Sequence, residues 1–276
     1  MAQTNRSLHQ ARPAKRNEYY TQLADIENEM KYYKKYFRGK VVLCNCDDPF
    51  ESNFFKFFVL NFNRLGLKKL IATCYTGSPI AGTQLSFADL GKEFVGSERA
   101  YKAIVTEVYD ATGNGGVDMI DVAELFKLGK NTIEELKGDG DFRSAECLAL
   151  MDEADLVVTN PPFSLFREYV ATLLEHQKQF IIIGNLNDLT YKDTFPLIRD
   201  NQLWVGYTKP KEFVVPKDYP DRKNTYVRED GTIIAKFGYM VWFTNLDIKK
   251  RHEDIVLFRR FDADYYPHYE NYDGID

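Results

Sequence analysis

The chain has 276 residues, 44% hydrophobic and 28% charged, with 18 Tyr and 20 Phe, which is enough to bury one large core and too apolar for a protein disordered beyond its ends. Its longest apolar runs fall far short of a bilayer span, and Met1 to Arg16 lacks the apolar core of a secretory signal, so a cytoplasmic protein is expected. The net charge of −5 argues against a uniformly basic nucleic-acid binder, yet residues 1–40 hold nine of the 36 Lys/Arg and four of the 41 Asp/Glu. That local excess fits either an arm on DNA phosphates or an ordinary solvated surface.

Residues 1–16 read as a flexible basic tail, broken by Pro13, ahead of a single domain over residues 17–276. Tyr19, Leu23, Ile26, Met30, Tyr33 and Phe37 then fall at helical spacing in a charged background, with Gly39 as a C-cap. The stripe reads as core rather than as a stacking platform. Val41-Val42-Leu43-Cys44-Asn45 is a buried strand that ends in Cys46-Asp47-Asp48-Pro49 before a helix from about Glu51 to Arg64. A strand, an acidic turn and a helix can cradle a nucleoside-containing cofactor. The glycines of a dinucleotide turn are missing, and Asp47 and Asp48 would repel a pyrophosphate, which favours S-adenosyl-L-methionine over NAD or ATP. The same Asp-Asp-Pro also reads as a plain helix N-cap.

Leu70 to Cys74 predicts a second strand. Ala103 to Tyr109, Gly113-Asn114-Gly115-Gly116 and Val117 to Ile120 predict a hairpin with an Asn-Gly turn. Asp141 and Phe142 precede a helix over Ala145 to Glu153. They can hold a purine by a hydrogen bond and a stack, or Asp141 or Ser144 can merely cap the helix. Four cysteines, Cys44, Cys46, Cys74 and Cys147, read as reduced structural thiols, and the four histidines form no ligand spacing, so no metal is expected.

The chain turns on Asp155-Leu156-Val157-Val158-Thr159-Asn160-Pro161-Pro162-Phe163. Two prolines supply no backbone N–H and bar Asn160 from a helical conformation, so the chain leaves the strand extended and turns with its polar groups free. Asn160 offers a side-chain carbonyl, Pro161 a backbone carbonyl and Phe163 a flat apolar face. Two acceptors can take the N–H bonds of an exocyclic amine while the ring stacks, which suits the N6 of adenine and works by positioning rather than by strong base catalysis. Asn-Pro-Pro also initiates turns that carry no chemistry. Here an apolar strand precedes it and a helix, Phe166 to His176, follows, and ligands collect outside the carboxyl ends of strands in open α/β sheets. Phe180 to Asn185 is a further strand, and Asn185 ends it on the edge that carries Asn160.

Beyond Leu203 the pattern becomes β-rich, with a hairpin at Glu229-Asp230-Gly231. Lys209, Lys211, Lys217, Arg222, Lys223 and Arg228 sit among aromatics and prolines there. Residues 204–236 read either as a DNA-contacting region or as solvated loops.

Through these residues the chain resembles the EcoRI-type adenine-specific DNA methyltransferases. The resemblance runs from about Asp25 to the end, through Val41–Phe50 (VVLCNCDDPF), Gly140–Cys147 (GDFRSAEC), Ala154–Tyr169 (ADLVVTNPPFSLFREY), Phe180–Asn185 (FIIIGN) and Trp242–Arg251 (WFTNLDIKKR). It implies an α/β, class I methyltransferase (Rossmann-like) fold: a mostly parallel seven-stranded sheet with helices on both faces and a β-rich insertion. It implies methyl transfer from S-adenosyl-L-methionine to the N6 of an adenine flipped out of double-stranded DNA at a short specific motif. Asn160, Pro161, Pro162 and Phe163 match the target-adenine motif. Asp141 and Phe142 look like the cofactor-adenine contact, and Cys46, Asp47, Asp48, Pro49 and Asn185 occupy the cofactor edge. Lys209, Lys211, Arg222, Lys223 and Arg228 are the expected DNA contacts. The resemblance further implies a bacterial or phage-encoded monomer in a restriction-modification or orphan methylation setting, paired there with a cognate restriction endonuclease. Family members typically run on beyond the region of Asn271-Tyr272-Asp273, and this chain stops at Asp276. The alternatives are an inactive or truncated relative that binds DNA or cofactor without turnover, or a methylase of RNA or of a protein amide.

Overall fold

The structure, a computed structural model, describes residues 19–46, 49, 52–74, 100–216, 219–254, 256, 258 and 262. The chain divides into two compact units, residues 1–246 and 247–276. The expected tail, residues 1–16, lies outside the described residues.

Runs of apolar residues with no polar alternation make strands buried on both faces. Numbered in chain order, β2 (Val41–Cys44) and β6 (Leu156–Thr159) are buried at every position. They lie at the centre of the larger sheet with β3 (Lys69–Thr73) and β7 (Gln179–Asn185) beside them, and the pairs β2/β3, β2/β6 and β6/β7 are parallel. β4 (Tyr101–Val105) runs antiparallel to β3, and β5 (Thr132–Glu135) antiparallel to β4. At the other side β12 (Met240–Thr244) runs antiparallel to β7 and to the short edge strand β8 (Trp204–Val205). The order is β5-β4-β3-β2-β6-β7-β12-β8. This corrects the expectation of seven mostly parallel strands: among the described residues the sheet has eight strands of mixed direction, with its parallel pairing confined to the centre.

Helices cover both faces. One core gathers Leu43, Val157, Phe180, Ile182 and Phe243 with Met151 and Phe166, which come from helices α4 (Ala145–Glu153) and α5 (Phe166–Glu175). Alternation sends Trp242 to the opposite face, where Phe54 of α2 (Asn53–Leu60) meets it edge-on at 6.0 Å. Ile26 and Met30 of α1 (Leu23–Met30) are buried as the helical stripe requires. The stripe is interrupted, because the chain turns after Met30 and a separate short helix covers Lys34–Phe37. Tyr19 lies before α1 and outside the helix.

The expected hairpin after β4 does not form. Asp118 caps α3 (Met119–Lys127), accepting from the N–H of Ile120 at 2.7 Å, while Asp121 accepts from the N–H of Asp118 at 2.9 Å. Asp110 gathers the N–H groups of Gly113 at 2.6 Å and Gly115 at 2.8 Å. These aspartates satisfy the backbone locally, so helix capping prevails over the Asn-Gly turn signal.

The β-rich expectation for residues 204–236 takes the form of a second, four-stranded antiparallel sheet, β1-β9-β11-β10. It joins β1 (Tyr20–Thr21) to β9 (Glu212–Val214), β11 (Ile233–Lys236) and β10 (Thr225–Val227). The β10/β11 pair is the hairpin around Asp230-Gly231, with Val227 opposite Ile233. In the second unit, the short turn Lys249–His252 is organised by Asp247, whose Oδ1 lies 3.1 Å from Arg251 Nη1 and 2.6 Å from His252 Nε2.

Candidate active site

The parallel register carries the ends of β2 and β6 to one edge, and the motif residues leave from there. Thr159, the last residue of β6, donates its hydroxyl to the main-chain carbonyl of Asn45, just past β2. Asn45 Oδ1 accepts from the hydroxyl of Tyr169 on α5. Tyr169 is fully buried, its phenol pushed well up by burial and by the neighbouring Cys46. The next residue, Cys46, is half-buried and has φ 81°, a left-handed conformation that costs a non-glycine residue on the order of 1 kcal/mol. The β2 turn is thus held by two hydrogen bonds at Asn45 and strained at Cys46, where a cofactor turn was expected. Asn45, Thr159 and Tyr169 carry this arrangement and were not among the residues singled out from the sequence. An asparagine closing an apolar strand was the available signal for Asn45.

Phe142 meets Tyr169 edge-on at 4.9 Å, which brings residues 140–144 to the same cluster. Gly140 makes this approach possible. Its φ is +81°, and a Cβ there would stand 2.1 Å from the carbonyl oxygen of Cys74. Phe142 is 5% exposed, between Tyr169 and the Arg143 guanidinium at 5.4 Å. Asp141 accepts from Arg143 Nε at 2.8 Å, and Arg143 Nη1 reaches Glu168 at 3.2 Å. Burial raises the Asp141 carboxyl, but the Arg143 hydrogen bonds and charge outweigh it and hold the group below the usual carboxylate range. Packing and the Arg143 clamp therefore engage both residues expected to meet the cofactor purine.

Of the expected turn Cys46-Asp47-Asp48-Pro49, Asp47 and Asp48 lie outside the described residues, and Pro49 is buried. Ser52 then caps α2 through the N–H of Phe54 at 3.2 Å. Asn185 ends β7 at the same sheet edge, and its side chain caps the turn Leu186–Thr190 by accepting from the N–H of Asn187 at 2.9 Å. Its own N–H goes to Asp188 Oδ2 at 2.8 Å.

Asn160 is 6% exposed. Its Nδ2 donates to the main-chain carbonyl of Tyr19 at 2.6 Å, and its Oδ1 is buried with no partner among the described residues. An unsatisfied buried acceptor costs on the order of 1–3 kcal/mol, which a donor arriving with a ligand would remove. Pro161 is buried and Phe163 half-buried. The Phe163 ring centroid lies 5.6 Å from that of Tyr19, which also approaches Tyr219 at 5.8 Å and Phe237 at 5.1 Å. Burial, then Tyr219, pushes the Tyr19 phenol up to about 12. The adjoining Thr21 Oγ1 and Gln22 Nε2 are likewise buried without partners among the described residues, and Asn53 at the start of α2 donates to the Thr21 carbonyl at 2.7 Å. The segment Tyr19–Gln22 thus joins the motif to the helix after the β2 turn. The sequence hid this by placing Tyr19 on a helical stripe. Trp242 Nε1 is also buried without a partner among the described residues.

The expected DNA contacts Lys209, Lys211, Arg222, Lys223 and Arg228 are all exposed in or beside the smaller sheet. Arg228 is engaged, donating to Gln22 Oε1 at 3.0 Å with Glu212 at 3.6 Å. Arg222 lies over the Tyr219 ring at 5.8 Å. No group of His, Cys, Asp and Glu among the described residues could hold a metal ion.

Residues 7–276 match the family described as adenine-specific methyltransferase EcoRI. The chain is similar to the Type II methyltransferase M.EcoRI of Escherichia coli, with 43% identity over 99% of this chain and 79% of that protein. It is 34% identical to the Type II methyltransferases M.MpnI of Mycoplasma pneumoniae and M.MgeORF184P of Mycoplasma genitalium, in each case over 97% of this chain and 74% of the relative. A search of solved structures gave no match. With nearly its whole length matched, and the Asn160-Pro161-Pro162-Phe163 turn at the end of a central strand, the chain belongs to the EcoRI family of adenine-specific methyltransferases.

Proposed function

We propose that the chain transfers a methyl group from S-adenosyl-L-methionine to the N6 of an adenine flipped out of double-stranded DNA at a short specific motif. The observation that carries this reading is the buried, unpartnered Oδ1 of Asn160. Adenine N6 is a poor nucleophile because its lone pair is delocalised into the ring. An acceptor on one N–H, with the Pro161 carbonyl available to the other, draws that lone pair out of the ring plane and toward the methyl donor. Phe163 supplies the flat apolar surface on which the ring rests. An adenine inside a duplex cannot reach a 6%-exposed side chain, so the base must leave the stack.

The residues present fit the cofactor. The strained Cys46 turn, anchored through Asn45 and Tyr169, would hold it together with Pro49, Asp47 and Asp48. Thr21 Oγ1 and Gln22 Nε2 are unpartnered polar atoms suited to its charged amino-acid end. Asp141 and Phe142 would stand at its purine and Asn185 at its outer edge, with Asp141 acting through the Arg143 clamp. When bound, the cofactor supplies an electrophilic methyl on sulfur. Lys209, Lys211, Arg222 and Lys223 are the phosphate contacts. Arg228, already held by Gln22 and Glu212, ties the DNA face to the segment beside Asn160.

The test is transfer of labelled methyl from S-adenosyl-L-methionine to duplex DNA, RNA and protein in parallel, with Asn160→Ala as control. N6-methyladenine is expected in DNA, with a rate lower by about a hundredfold or more in the variant at unchanged thermal stability. Label appearing only in RNA or protein, cofactor binding without turnover, or full activity of Asn160→Ala would overturn it.

A further inference from the structure

Tyr19 lies outside the Asn160–Phe163 motif in sequence, yet the structure sets it against the motif in two ways. Its carbonyl holds Asn160 Nδ2 at 2.6 Å, and its ring lies 5.6 Å from Phe163 with the planes at 48°. Rings at this angle form a wedge and do not cover each other face to face. The remainder of the Tyr19 ring is fixed by the smaller sheet, edge-on to Tyr219 at 84° and tilted 31° against Phe237. One aromatic face can stack a heterocycle but cannot by itself stop the ring from sliding or tilting, and an amine that must present its N–H bonds to a fixed acceptor needs both restraints.

We propose that Tyr19 is a further substrate-positioning residue: its ring is the second wall of the target-base pocket and, with Phe163, holds the amino-bearing ring in the plane that Asn160 Oδ1 requires. The proposal rests on the reading that Asn160 receives an adenine. It adds that the pocket is completed by a segment 141 residues away in sequence, anchored on the sheet that carries the proposed DNA contacts. Base capture and DNA docking then share one support, since Gln22, three residues on from Tyr19, is held by Arg228.

The experiment compares the full chain with Tyr19→Phe and Tyr19→Leu, and with Tyr19→Met as a second non-aromatic variant should Tyr19→Leu fold poorly. The substrate is a duplex carrying the motif that the wild-type chain methylates. Four quantities are measured: thermal midpoint, DNA affinity, single-turnover methylation at saturating DNA and cofactor, and the fluorescence of 2-aminopurine placed at the target position. Tyr19→Phe keeps the ring and is expected to match wild type. The non-aromatic variants are expected to lose about tenfold to a hundredfold in rate, the scale of one base–aromatic stack, at temperatures where each is fully folded, and to give an altered 2-aminopurine signal with DNA affinity unchanged. Wild-type rates and signals in those variants, or losses that track stability and DNA affinity alone, would overturn the proposal. A wild-type chain that methylates no adenine would instead overturn the functional reading beneath it.

Discussion

Asn160 donates its Nδ2–H to the main-chain carbonyl of Tyr19, and that bond decides which way round the amide sits. With Nδ2 committed, Oδ1 is the buried atom left for a ligand. Replacing Asn160 with Asp sets a carboxylate oxygen against the Tyr19 carbonyl with no proton between them. Activity should fall by about a hundredfold at pH 8. It should partly recover as the pH is lowered, because a protonated Asp can again donate to that carbonyl and the facing oxygens favour the neutral form. The single-turnover rate of Asn160→Asp relative to wild type, followed from pH 8 to pH 5.5, checks this. A pH-independent ratio would contradict the amide orientation.

Arg143 joins Asp141 to Glu168 on α5, and through Phe142 the same loop packs on Tyr169. The Asp141 carboxyl is held below its unfolded value of about 3.9. The stabilisation it gives is therefore present above about pH 4 and is lost as pH falls through the folded value. Arg143→Ala should cost about 1 kcal/mol at pH 7 after allowance for solvent screening, and the gap to wild type should close toward pH 3. Urea midpoints of both proteins at pH 7 and pH 3 give the answer. An equal gap at both values would show that Arg143 acts through packing alone.

Glu29 on α1 is a buried carboxylate with 0% exposure. It accepts from the Tyr33 hydroxyl at 2.7 Å, the Tyr207 N–H at 2.8 Å, the Thr208 N–H at 2.6 Å and the Thr208 hydroxyl at 2.7 Å. Gly206 admits it, since a Cβ there would lie 2.2 Å from Glu29 Oε1. Burial and the adjacent Glu29 push the Tyr33 phenol well up. Glu29 thereby fixes the turn that leads from β8 into the smaller sheet. Glu29→Gln replaces one acceptor oxygen with a donor facing other donors and should cost about 2–3 kcal/mol, read as a drop in chemical-denaturation stability. DNA affinity should weaken with it, whereas binding of S-adenosyl-L-methionine should be largely retained.

The sequence revealed the strands and helices whose reasons are local. The unbroken apolar runs of β2, β6 and β7 announced strands buried on two faces, and α4 has the predicted bounds, Ala145 to Glu153. The Asn-Pro-Pro-Phe turn could be read because prolines act on their immediate neighbours. Long-range pairing was hidden. Whether β4 joins β3 or folds back on residues 117–120 depends on Asp110, Asp118 and Asp121 satisfying backbone donors, and in the sequence those residues resemble ordinary turn formers. Tyr19 fitted a helical stripe by spacing, but β1 pairs with β9, with Thr21 opposite Phe213, and draws Tyr19 to the motif. Glu29 looked like one more charge on an exposed face. Only the fold brings Tyr207 and Thr208 to it.

The role proposed for Asn160 is methylation of adenine N6 in DNA. Its most direct test is modification-sensitive sequencing of DNA from a methylase-deficient host expressing the chain or its Asn160→Ala variant. N6-methyladenine is expected at one short motif in cells carrying the wild-type chain and none in cells carrying the variant. Soluble, folded wild-type protein that leaves the DNA unmarked, or an equal mark from the variant, would contradict it.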